Sequence, residues 1–374
     1  MQGPPGTGKT FCAAHMIVAG LAAGRRIAIT AHSHAAIHNL LRAVENRAHL
    51  EGVAFRGLYK GDGYDSPRGL VQTGSNADAD AGDHALVAGT GWLLTRAAMT
   101  DAFDTVFVDE AGQYALASAV AVARCARAVV LLGDPQQLPQ VNQATHPGGS
   151  GASALGHVIG AADVIDPSRG VLLHTTWRLH PDVCGFISEL SYAGRLRAQE
   201  ACDRRWVEAP GRLSGTGLRA VPVPHDGCSQ ESQAEADAVA AMCRELLDGG
   251  QLVDGDVRRA LEPADILVVA PYNLAVGRLR RTVPDGVRVG TVDRFQGQEA
   301  PIVFFAMTSS TGEDVPRGLD FVFDRNRLNV ALSRAQCLAV LVHSPRLLDA
   351  DCRTLGQMAL VNGACRFVEL ATEA

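Results

Sequence analysis

The sequence predicts an α/β protein of two domains, each built on a parallel sheet. Three observations carry this prediction. Short apolar runs at residues 26–31, 85–90, 105–108 and 128–132 alternate with helix-length segments, and the pattern returns at 218–223, 266–270, 287–292, 302–307 and 338–343. Strands separated in this way by helices pair in parallel. A chain of 374 residues also suits two domains of roughly 100–200 residues each. Finally, residues 1–10 read MQGPPGTGKT and fit G-x-x-x-x-G-K-[ST], a loop that joins a strand to a helix.

The elements follow in order. Residues 11–23 form a helix stopped by Gly24, with its N-terminus turned toward the loop. A helix over 35–46 follows the first strand, and a polar stretch over 60–84, rich in Gly, Asp, Ser and Asn, reads as loop. Residues 92–99 are helical, and a linker over 163–170 divides the chain into domains 1–168 and 169–374. In the second domain, Ser232 with Glu235 reads as a capping box opening a helix whose apolar face is Ala238, Val239, Met242, Leu246 and Leu247. The strand that normally feeds a loop of this kind has almost no residues to form it, so the first sheet is expected to lack it.

Composition narrows the class. An apolar share of 47% and a charged share of 20% suit a globular protein, and no apolar run reaches the roughly 18 residues of a membrane span. Net charge is −6, divided as −3 in residues 1–168 and −3 in the remainder, so neither half is a basic nucleic-acid-coating domain. The nine cysteines form no C-x-x-C pair and read as reduced thiols of a cytoplasmic protein.

The chemistry concentrates in a few stretches. Gly3, Pro4, Gly6, Thr7, Gly8, Lys9 and Thr10 form a phosphate-binding set: glycines let the backbone curl around a polyanion, Lys9 adds charge, and the Thr10 hydroxyl can ligate Mg²⁺. An apolar strand delivers Asp109 and Glu110 in the sequence VFVDEAGQ, the first suited to holding Mg²⁺ and the second to polarising a water. Gln137 in GDPQQLP can sense a γ-phosphate, or belong to a simple polar turn.

In order along the chain, GPPGTGKT, DEAGQ, GDPQQLPQV, WRLHPDV, GTVDRFQGQE and LNVALSRA resemble the motif set of superfamily 1B helicases. Residues 177–196 and 290–334 look closest to the helicase half of bacterial proteins that fuse a RecB-like nuclease to such a helicase. The resemblance implies two RecA-like P-loop domains that hydrolyse ATP with Mg²⁺ and move 5′→3′ on single-stranded nucleic acid, DNA ahead of RNA. It casts Glu110 as catalytic base, Gln137 as coupling residue, and Arg178 and Arg334 as arginine fingers from the second domain. Trp177 takes the position that stacks on adenine and Glu299 the one that meets the ribose. Ser33, His34, Thr90, Thr291 and Asp293 match positions lining the strand groove, although Ser33 and Thr90 are equally read as ordinary helix caps.

The departures from this family define the alternatives. Ala270 and Ala275 replace a Thr and a Gln of the family's T-P-Y-x-x-Q segment. The stretch between residues 42 and 103 leaves room for a small insertion only, at about 47–84, and no nuclease domain is included. A nuclease domain or partner encoded upstream is therefore expected. The chain is then either an active helicase or a truncated or split fragment that binds nucleotide weakly and needs upstream segments. A third reading, a P-loop ATPase acting on protein or small molecules, draws on the net negative charge.

Overall fold

A computed structural model describes the chain apart from Gly69, residues 76–78, 80, 81 and 141–145, Gln296 and Ala374. Parts of the polar stretch 60–84, and Gln296 of the FQGQE sequence, therefore lie outside the described residues. The chain divides into two compact units, Met1–Pro4 with Gly8–Leu173, and Pro5–Thr7 with His174–Ala374.

The first unit carries strands β1 (Ile27–Thr30), β2 (Gly57–Lys60), β3 (Val71–Thr73), β4 (Leu86–Ala88), β5 (Phe103–Val108) and β6 (Ala126–Leu131). They form one sheet in the order β3-β2-β4-β1-β5-β6, every pair parallel. Its helices are α1 (Lys9–Ala22), α2 (His34–Glu51), α3 (Gly91–Leu94), α4 (Leu116–Ala123) and α5 (Ala154–Ile159). Side chains alternate across a strand, so a sheet buried on both faces feeds two cores. Phe107 and Ile29 pack with Ile17, Val18, Ile37 and Leu40 of α1 and α2, whereas Val106, Val108 and Ala28 pack with Leu94, Val122 and Leu155 on the opposite face.

No named strand precedes the phosphate loop, yet the strand position is not vacant. Gln2 makes parallel bridges to Gly133 and to Leu172. Its N–H donates to Val171 O at 2.9 Å, Leu173 N–H donates to Gln2 O at 2.9 Å, and Gly3 N–H donates to Gly133 O at 2.9 Å. The buried Gln2 side chain accepts from Ile165 N–H at 2.7 Å and donates to Asp163 O at 3.0 Å. The residues entering the loop are thus fixed from both sides by isolated bridges, without a strand of their own.

The second unit adds β7 (Thr175–Thr176), α6 (Pro181–Ser191), β8 (Arg197–Ala198), β9 (Arg205–Glu208), β10 (Gly217–Pro222), α7 (Gln233–Leu247), β11 (Gln251–Asp254), β12 (Val257–Ala260), β13 (Ile266–Ala270), α8 (Asn273–Thr282), β14 (Arg288–Thr291), β15 (Ala300–Ala306), α9 (Leu319–Val322), α10 (Arg325–Leu332), β16 (Ala335–His343), α11 (Pro345–Leu348), α12 (Leu355–Leu370) and β17 (Thr372–Glu373). Its main sheet runs β14-β13-β15-β16-β10-β17, again wholly parallel. One face, with Val268, Phe304 and Val340, packs on α7 and α8. Leu267, Phe305 and Leu341 are buried on the other. Strands β9, β11 and β12 make a separate antiparallel sheet that the sequence did not announce.

Only half of the expected capping box forms. Ser232 Oγ accepts from Glu235 N–H at 3.2 Å, but the Glu235 carboxylate turns inward. It accepts from Thr308 N–H at 2.9 Å and lies 3.0 Å from His225 Nε2, while His225 Nδ1 lies 2.7 Å from Ser310 Oγ. Glu235 therefore faces the core with Ala236, Val239, Ala240, Cys243 and Leu246, and Ala238, Met242 and Leu247 flank that face instead of centring it. Thr308 is held at φ 67, a left-handed conformation that strains a β-branched residue. Ser232→Ala should lower stability by about 1 kcal/mol, the usual worth of an N-cap. Glu235→Ala should cost more, about 1–3 kcal/mol, because it leaves buried partners unmatched. Urea unfolding of the two variants checks the order.

Candidate nucleotide site and strand-facing edge

In a parallel sheet the loops that follow the carboxyl ends of the strands converge, and ligands bind there. The first unit puts its chemistry at that edge. Gly8, at φ 78, caps α1 in a left-handed conformation open to glycine, so the loop reverses directly into the helix that begins with Lys9 and Thr10. Lys9 Nζ donates to Gly3 O across its own loop, which folds the cation back over the cradle. Thr10 is exposed in the first turn.

Asp109 and Glu110 end β5. Burial pushes the Asp109 carboxyl up, against the pull of Glu110 N–H, which donates to it at 2.9 Å, and of the Lys9 charge. Burial also raises Glu110, the Asp109 charge adds to the rise, and Lys9 again opposes it. Glu110 sits at φ 53, a left-handed conformation costing about 1–3 kcal/mol of backbone strain. A carboxylate and a hydroxyl are the hard oxygen donors that Mg²⁺ takes, so the chemistry of Asp109 and Thr10 fits this ion.

The turn holding Gln137 is fastened to the acidic turn through backbone. Ala111 N–H donates to Leu132 O at 2.8 Å, and a Cβ on Gly112 would stand 2.5 Å from Asp134 O. Asp134, which is buried, accepts from Gln136 N–H at 3.2 Å and from Gln137 Nε2 at 3.0 Å. Sequence reasoning singled out Gln137 and missed Asp134, the residue that holds it. The glycine at the start of the GDPQQ stretch was the available signal, since Gly133 too abuts Ala111 and Gly112 backbone.

Ser33, His34 and Thr90 lie at the same edge, after β1 and β4. Ser33 caps α2, accepting from Ala36 N–H at 3.2 Å, and so fulfils the helix-cap reading. Thr90 occupies the cap position of α3 without making a side-chain cap bond. His34 is exposed, with Nδ1 2.7 Å from Tyr59 Oη, and His38 Nε2 lies 2.6 Å from the same hydroxyl. The buried Tyr59 bridges two imidazoles, an arrangement with no sequence signal because it depends on how α2 folds back over β2.

In the second unit the expected residues separate into two groups. Arg178, Glu299 and Arg334 gather at the amino edge of the sheet, where Glu299 precedes β15 and Arg334 precedes β16. Arg178 Nε pairs with Glu299 Oε2, and its Nη1 donates to Ser333 O at 3.3 Å. Glu299 Oε1 accepts from Gln336 Nε2 at 2.8 Å. Arg334 is buried and donates to Val330 O at 2.9 Å and Gln298 O at 3.2 Å. Trp177, beside Arg178, is 61% exposed, as a stacking platform requires. Thr291 and Asp293 lie at the opposite, carboxyl edge, at and beyond the end of β14, where Arg327 Nη1 lies 3.4 Å from Asp293 Oδ2.

Together, the loop, the acid pair at the end of β5 and the parallel sheet define a P-loop nucleotide-binding protein. A family model described as an AAA domain matches residues 153–346, a second AAA-domain model matches residues 1–150, and the chain belongs to this family. It is 24% identical over 377 residues to the DNA replication ATP-dependent helicase/nuclease JHS1 of Arabidopsis thaliana, covering 93% of this chain and 27% of that protein. It is 26% identical over 412 residues to the putative helicase mov-10-B.1 of Danio rerio, covering 93% and 40%. A solved arterivirus nonstructural protein 10 helicase in complex with DNA aligns at 17% identity and TM-score 0.47, over 92% of this chain and 60% of that one. The chain spans well under half the length of these two curated relatives. Among the described residues, no helix is long and apolar enough to cross a membrane.

Two outcomes follow from the geometry. Gly112→Ala should cost about 1–3 kcal/mol by overpacking two backbones, read as an earlier urea midpoint. Asp109, with its carboxyl pushed up, binds a proton more tightly folded than unfolded. The corresponding stability is present at low pH and lost as pH rises through the folded value. Asp109→Asn should therefore gain stability over the parent chain as pH climbs from about 4 to 8, which paired melts at each pH measure.

Proposed function

We propose that the chain is an ATP-dependent helicase or translocase whose ATP hydrolysis drives 5′→3′ movement on single-stranded DNA, with RNA the lesser substrate. The observation that carries the reading is the site at one sheet edge, where the loop with Lys9 meets two half-buried carboxylates, Asp109 and Glu110, whose charges Lys9 opposes. Bound MgATP supplies the phosphoanhydride to be cleaved and the divalent charge that steadies its phosphates. The loop from Gly3 to Thr10 holds these phosphates, Asp109 with Thr10 holds the metal, and Glu110 takes the proton of the attacking water. The high proton affinity of Glu110 suits a base that must be ionised by the electropositive surroundings that a loaded site provides.

Gln137, fixed by Asp134, reports the γ-phosphate. Arg178 and Arg334 act as arginine fingers, Trp177 stacks on adenine and Glu299 meets the ribose. Ser33, His34, Thr90, Thr291 and Asp293 contact the strand through its backbone, without reading sequence. That both units present such residues at carboxyl edges supports a strand as the second substrate.

The test is ATPase activity with and without polynucleotide. Hydrolysis should rise with added single strands and vanish in Lys9→Ala. Arg178→Ala should lower it by roughly 10³–10⁵, the range for a lost finger. A chain that hydrolyses ATP but responds to no polynucleotide would sink the translocase reading and favour a P-loop ATPase with another substrate.

A further inference from the structure

A cavity of about 660 Å³ opens in the first unit beyond the carboxyl ends of β1 and β4, and no residue assigned above to the nucleotide accounts for it. It is lined by Ala31, His32, Thr90, Trp92, Tyr114 and Ala121, among others. Trp92 is 87% exposed, the largest apolar side chain so placed among the described residues. Tyr114, by contrast, is buried and forms a wall, its hydroxyl close to the backbone of Gly91. The lining contains no Lys, Arg, Asp or Glu. Gln140 contributes a buried side-chain oxygen that accepts no hydrogen bond.

These features select a ligand class. A phosphate would need cations or a run of free N–H donors, and the walls offer neither charge. A planar, neutral group fits: it can stack on the exposed Trp92 indole and lie along the alanine-lined wall. Thr90, at the mouth, offers a hydroxyl that α3 does not use for its cap. We propose that this cavity is a nucleobase subsite, in which one base of a bound single strand stacks on Trp92 while Thr90 touches the adjoining backbone. The inference rests on the strand-binding reading above and adds to it a place where bases, not phosphates, are held. Stacking on an aromatic face is sequence-tolerant, so the subsite would grip any base.

Binding of the full-length chain to a labelled oligothymidylate, followed by fluorescence anisotropy, tests this. Trp92→Ala should weaken binding about 5- to 150-fold, the range of a lost base stack. Trp92→Phe should restore most of it and Trp92→Leu little. The slope of log Kd against log salt should stay as in the parent chain, because no phosphate contact is lost. On an oligonucleotide of abasic residues the parent chain should bind weakly and Trp92→Ala should make no further difference. Equal affinity of Trp92→Ala and parent for oligothymidylate overturns the subsite and leaves Trp92 to a protein partner. An equal loss on the abasic strand also overturns it. If the parent chain binds no single strand at all, the strand-binding reading itself falls and the subsite with it. Trp92→Leu keeps an exposed apolar residue in place, so a loss in that variant separates stacking from folding.

Discussion

Two neighbouring carboxylates, half-buried just beyond the end of a strand, are the costly arrangement around which the first unit is organised. Asp109 and Glu110 are both driven toward their neutral forms by desolvation, and the Asp109 charge adds to the rise at Glu110. Such a pair persists only where surrounding structure over-determines it. The surroundings supply that: β5 is paired on both sides, the turn after it is locked to the GDPQQ turn by backbone contact, and Lys9 offsets part of the charge. The unit stores an electrostatic demand that a cation and a polyphosphate together would satisfy.

The second unit answers a different demand. Its arginines are already partnered, Arg178 by Glu299 and Arg334 by main-chain carbonyls. Partnering keeps both long cations ordered: Arg178 is mostly covered and Arg334 is buried, so each charge needs the acceptors it has. Thr291 and Asp293 sit at the far edge of the same sheet, the length of a strand away from Arg178, Glu299 and Arg334.

Much of this was legible in the sequence, for physical reasons. The parallel strands were visible because a sheet buried on both faces needs continuous apolar runs, as in residues 266–270, which match β13 end to end. The phosphate loop and acid pair were visible because their chemistry allows few substitutes. What escaped notice was set by tertiary contact. Glu235 has the spacing of a capping residue, yet a buried histidine and a strained backbone N–H compete for it and win. Strands β9, β11 and β12 escaped because β12 is exposed throughout and carries paired arginines instead of an alternating apolar pattern. Trp92 was read only as the start of a helix, because a one-turn helix and a stacking platform look alike in a single sequence.

One amide has a larger reach than its size suggests. Gln2 is joined through its main chain to Gly133, Val171 and Leu173, and through its side chain to Asp163 and Ile165. The segment 163–173 is therefore geared to the start of the phosphate cradle through a single buried residue. Gln2 thus ties residues 163–173 to Gly3, the residue next to it, whose carbonyl accepts from Lys9, so the start of the loop and that segment share one buried anchor.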